Sequence, residues 1–98
     1  MLSIKTNRRA SFVFDIDGTT YAAPTAGELS IEWMDRFIEA QAQPEESRGY
    51  AIWRFLVDLF RVYADPAAID ALTTDEFKVL TDAWNEFTEE SDGATSGE

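Results

Sequence analysis

Phe12-Val13-Phe14-Asp15-Ile16-Asp17-Gly18-Thr19-Thr20-Tyr21 decides how the rest of the chain is read. Phe12, Phe14 and Ile16 alternate with Val13 and Asp15, the period of a strand with one apolar face. Asp17-Gly18 follows, and Asp-Gly supplies the positive φ angles that a two-residue primed turn demands. Thr19, Thr20 and Tyr21 are good strand formers for the return. Residues 11–21 therefore predict a β-hairpin, and Pro24 closes the segment.

Downstream of the hairpin the apolar period changes to that of helices. Thr25 and Glu28 have capping-box spacing, and Ser30 is a rival cap, so the first helix starts at one or the other. Leu29, Trp33, Phe37 and Ile38 recur at helical spacing, and the helix ends near Gln43 because Pro44 disfavours helix just before it. Residues 45–49 read as a polar connector. A second helix runs from about Tyr50 to Tyr63 with Trp53, Leu56, Phe60 and Tyr63 on one stripe, widened by Ile52, Val57 and Leu59; it is the expected centre of the core. Asp65-Pro66 opens a short helix over residues 67–72, with Asp as cap and Pro at the first helical position. Thr73 and Glu76 form the next capping box, and Phe77, Leu80, Trp84 and Phe87 make one apolar stripe on the last helix. Residues 89–98 hold nothing to bury and read as a disordered acidic tail. The predicted class is mainly α: three to four helices with an N-terminal hairpin over residues 11–88, a flexible basic arm over residues 1–10 and the tail.

Composition narrows the possible functions. At 98 residues there is material for one domain, and 45% hydrophobic content with three Trp, three Tyr and seven Phe is enough to fold it. The net charge of −11 opposes nucleic acid. Lys5, Arg8 and Arg9 sit in the first ten residues, where no acid occurs; such an arm can touch a phosphate but more often solubilises a frayed end. With no Cys there is neither disulfide nor thiolate chemistry, and with no His the commonest general base and metal ligand are missing. No apolar run approaches the ~20 residues needed to span a bilayer, and the first residues do not read as a secretory signal. The expected location is therefore the cytoplasm.

The hairpin segment also resembles the first motif of the haloacid dehalogenase phosphatases, an apolar strand ending in Asp-x-Asp-Gly-Thr. The resemblance implies Asp15 as nucleophile and Asp17 as general acid and base, both holding magnesium, with Gly18 and Thr19 completing the motif. Such chemistry is coherent, since a cation lets a carboxylate attack phosphorus. That family needs a sheet of further parallel strands and a lysine. Here only helices are legible after residue 21, and the only lysine beyond the motif, Lys78, lies in a helical pattern. The hairpin reading is preferred, with a phosphatase fragment as the remote alternative. Glu28, Glu32, Asp35 and Glu39 form a row that reads as a solvated helix face rather than a cation site. No Ser or Thr has a His to activate it. Trp33, Trp53 and Trp84 read first as core, although thirteen per cent aromatic residues leave some free to anchor a partner. No catalytic, cofactor or metal residue is assigned.

The order of segments resembles the small tail assembly chaperones of long-tailed, siphovirus-type phages and prophages of actinobacteria. The residues that carry it are the hairpin over residues 14–21 with Pro24, and a helix with Leu29, Ile31 and Phe37. After them come the aromatic helix from Trp53 to Phe60, Asp65-Pro66 with Ile69 and Leu72, and Asp75-Glu76-Phe77 leading to Asp82-Ala83-Trp84 and Phe87. The resemblance implies a non-catalytic protein that binds the tape measure protein, keeps it soluble, helps recruit tail tube protein and leaves before the virion is complete. It also implies a longer frameshift product of the same gene, with homo-oligomers as a further possibility. The client surface is expected on the last helix, at Phe77, Leu80, Trp84 and Phe87. A generic acidic helical adaptor binding another protein is the alternative.

Overall fold

The computed structural model describes residues 1–4 and 10–96, with side chains as far as residue 90. The basic cluster Lys5, Arg8 and Arg9 lies outside the described residues. Strands β1 (Phe12–Ile16) and β2 (Thr19–Ala23) form an antiparallel hairpin, followed by a single 3-10 turn (Ala26–Glu28). Four helices complete the chain: α1 (Ile31–Gln41), α2 (Glu45–Tyr63), α3 (Pro66–Asp70) and α4 (Thr74–Ser96). The fold is mainly helical with an N-terminal hairpin, as the sequence predicts.

The hairpin closes as its turn chemistry requires. Ile16 pairs with Thr19, Phe14 with Tyr21 and Phe12 with Ala23. Asp17 and Gly18 both take positive φ, 51° and 87°, the mark of a type I′ turn whose twist matches the strands. The Asp15 carboxylate accepts from the Gly18 N–H at 2.9 Å and holds the turn from one side.

Both candidate caps before the first helix are used, for different elements. The Glu28 carboxylate returns to the Thr25 N–H at 3.0 Å and closes the 3-10 turn, while Ser30 Oγ accepts from the Trp33 N–H at 3.3 Å and starts α1. Asp65 accepts from the Ala67 N–H at 3.1 Å with Pro66 in the first turn of α3. Thr73 and Glu76 exchange hydrogen bonds at 2.8 and 3.1 Å before α4.

Two boundaries differ from expectation. Residues 45–49, read as a connector, are the first turn of α2, which begins at Glu45 directly after Pro44. The Pro44 carbonyl accepts from Ser47 and Arg48 N–H at 2.9 Å, and Glu45 and Glu46 place negative charge at the positive end of the helix dipole. These gains outweigh the ~0.5–1 kcal/mol that Gly49 costs inside a helix. The short helix stops at Asp70 rather than Leu72, because Thr73 then caps α4. The helical backbone of α4 is described as far as Ser96.

α2 is the centre of the core. It supplies Phe55, Leu56, Val57, Leu59 and Phe60, with Leu59 and Phe60 fully buried. Phe60 meets Phe14 at 5.5 Å, Phe77 at 5.9 Å and Phe12 at 6.5 Å between ring centroids, edge to face in each case. One side chain thus joins hairpin, α2 and α4. On the other flank Phe55 packs against Phe37 and Trp33 of α1 at 5.1 and 5.9 Å. Arg36 spans from Trp33, whose ring it covers at 4.6 Å, to Asp58 of α2 at 2.8 Å. Among the described residues no helix is long and apolar enough to cross a membrane.

Candidate functional site

The four residues expected at a client surface do not share one environment. Phe77 and Trp84 are 3% and 2% exposed, and they form the underside of α4 against Phe60 and the end of β2. Phe87 is half-buried with its ring 5.7 Å from Phe12. Phe77 and Trp84 are therefore core, while Leu80 and Phe87 are half-buried and pack against it. Leu80 also reaches an open groove.

That groove, of about 320 Å³, runs between β1 and the first half of α4. One wall is β1 along its whole length, Phe12 to Ile16; the other is Glu76, Val79, Leu80 and Ala83 of α4, with Leu72 at the end. Residues 76, 79, 80 and 83 share one helix face, one step round from the buried stripe. All of β1 lines the groove and none of β2 does, so it follows the unpaired edge of the hairpin. The two-residue turn makes Ile16 and Thr19 a hydrogen-bonded pair. By alternation Val13 and Asp15 turn their backbone N–H and C=O groups to the free edge. Among the described residues neither makes a backbone hydrogen bond outside the hairpin.

The groove is apolar with an acidic border. Val13 and Val79 are 63% and 69% exposed, unusual for aliphatic side chains facing each other across a cleft. Asp15 and Glu76 are its charged lining residues, and among the described residues no base lines it. This composition suits an extended or amphipathic segment carrying apolar side chains and positive charge. Sequence reasoning passed over Val13 and Val79 although both were visible as anomalies. Val13 is an apolar residue on the polar parity of its strand, and Val79 is an apolar residue off the core stripe of its helix.

The other candidate chemistry is dispersed. Asp15 and Asp17 belong to an antiparallel hairpin, and the Asp15 carboxylate is engaged by its own turn. Glu28 is not on α1; its carboxylate accepts from the Ser11 N–H at 3.0 Å, from the Ser11 hydroxyl and from Thr25. Burial raises the Glu28 pKa, but the hydrogen bonds from Ser11 and Thr25 outweigh it and hold the group below the ordinary carboxylate value. Glu32, Asp35 and Glu39 lie exposed on α1. Lys78 is exposed in α4. Among the described residues no group of three or more acidic side chains is placed to hold a metal ion. Trp33 and Trp53 are half-buried, the latter edge-on to Phe77 at 4.9 Å.

No protein-family model, curated protein or solved structure matches the chain.

Proposed function

We propose that this protein is a non-catalytic tail assembly chaperone of a long-tailed phage or prophage, working in the host cytoplasm and holding apolar segments of the tape measure protein until the tube forms. The phage assignment rests on the segment order and residues that resemble those chaperones. The client-holding role rests on one observation, the apolar groove between β1 and α4 with Val13 and Val79 open to solvent. An amphipathic client lays its apolar side chains against Leu72, Val79 and Leu80 and meets Asp15 and Glu76 at the border. The net charge of −11 keeps the loaded complex dispersed by mutual repulsion.

The test is client solubility. The tape measure protein encoded in the same genome is co-expressed with the wild-type chain, with Val79→Asp and with Tyr50→Asp. Tyr50 is 70% exposed on α2 and does not line the groove. The expected outcome is a soluble client with wild type and Tyr50→Asp, and a pelleted client with Val79→Asp. A client that pellets equally with all three chains overturns the tape measure assignment. A client held equally well by Val79→Asp overturns the groove.

A further inference from the structure

The described part of the N-terminal segment, Met1 to Ile4, carries an unmet apolar surface of its own. Met1, Leu2 and Ile4 are among the most exposed large hydrophobic residues of the chain, Leu2 at 85% and Ile4 at 78%. At strand period Leu2 and Ile4 fall on one face and Ser3 on the other. Lys5 follows directly, and Arg8 and Arg9 come soon after, in a stretch without an acid. The segment is therefore apolar on alternate positions and positively charged beyond them. The β1–α4 groove offers the complement: a free strand edge at Val13 and Asp15, aliphatic side chains at Leu72, Val79 and Leu80, and acids at Asp15 and Glu76.

We propose that the Met1–Ile4 segment of a second copy of this chain pairs with the free edge of β1 and fills the groove. Three residues match three: Leu2–Ile4 and Val13–Asp15 each span about 10 Å as strand. Leu2 and Ile4 then face the aliphatic wall of α4, in a segment whose sequence is basic and free of acids beside a groove bordered by Asp15 and Glu76. Main-chain hydrogen bonds supply the pairing and the alternate side chains supply the fit. A second copy is favoured over the chain's own segment because in the single chain both surfaces stay open. Exchange between two copies about a two-fold axis closes both grooves at once and pairs the outer edge of β1 in each copy. The proposal shares the groove with the client reading, and the self-association it describes is what a client would displace.

Disulfide trapping tests it, since the chain has no cysteine of its own. Purified full-length Ile4→Cys is mixed with full-length Val79→Cys under mild oxidation, beside a control mixture of Ile4→Cys with Tyr50→Cys. The expected result is a mixed disulfide dimer formed several-fold faster than in the control. A rate equal to the control overturns the proposal. The double variant Ile4→Cys/Val79→Cys, oxidised at high dilution, distinguishes the remaining occupant. A cross-linked monomer there, without mixed dimer in the first experiment, shows that the chain covers its own groove and overturns exchange. In sedimentation, Ile4→Asp is expected to shift the wild-type chain from dimer to monomer with its melt unchanged. No client is present in these experiments, so their failure leaves the client reading standing, and failure of the client experiment leaves a trapped dimer standing.

Discussion

The indole Nε1–H of Trp84 donates to the carbonyl oxygen of Pro24 at 2.8 Å, joining residues 60 positions apart in the sequence. Trp84 is 2% exposed and Pro24 is fully buried, so no water replaces the bond if the donor is lost. The contact fastens α4 to the chain just beyond β2 and holds the stripe of α4 beneath the hairpin. Trp84→Phe keeps much of the ring and removes the donor. It is expected to cost ~1–3 kcal/mol, the penalty for orphaning a buried carbonyl, plus a smaller loss of packing. Urea denaturation of the two chains measures it, and equal midpoints would mean that the bond contributes nothing.

Phe60 rather than Trp53 is the keystone of α2. Phe60 is fully buried against Phe12, Phe14 and Phe77, whereas Trp53 is half-buried. Phe60→Ala is expected to cost ~3–5 kcal/mol, and Trp53→Ala distinctly less. For a domain of this size the first loss is a large part of total stability. The ranking of the two urea midpoints decides the matter. The reverse order would place the core centre one turn or more towards the start of α2.

Glu28 makes stability depend on acid. Its folded pKa lies below the ordinary value of 4.5. The unfolded chain therefore takes up a proton at this site more readily. The stabilisation is fully present above 4.5 and is lost as pH falls through the lower folded value. Glu28→Gln has no charge to protonate. Wild type is expected to be the more stable chain at neutral pH, with its advantage shrinking on acidification through that window. Paired denaturant titrations at both ends of the range check it, and a gap that does not change with pH would exclude Glu28 as the source.

Gly49 lies inside α2, and a Cβ built there meets nothing within 4 Å. Alanine loses less backbone freedom on folding, so Gly49→Ala is expected to stabilise by ~0.5–1 kcal/mol. A thermal melt several degrees higher is the readout. A lower melt would show that residues 45–49 are not helical in solution.

The hairpin, the caps and the helical stripes were legible because each depends on contacts a few residues apart. Asp17-Gly18 fixes the turn, Thr73 with Glu76 and Asp65 with Pro66 mark helix starts, and the α2 stripe identifies the core helix. The start of α2 at Glu45 was missed because its polar first turn gives no apolar period, only favourable charge at a helix terminus. The groove was hidden for a different reason. Whether the stripe Phe77–Trp84 faces a partner or the chain's own hairpin depends on where β1 lies in space, and no local pattern records that. The sequence by itself determined the elements, their order and their apolar faces, since turn dihedrals, caps and side-chain period act within a few residues. Only the tertiary structure decided which face is spent on the core and which remains as a groove. That choice is made when Phe60 and Trp84 draw hairpin, α2 and α4 together, leaving Val13 and Val79 on the outside.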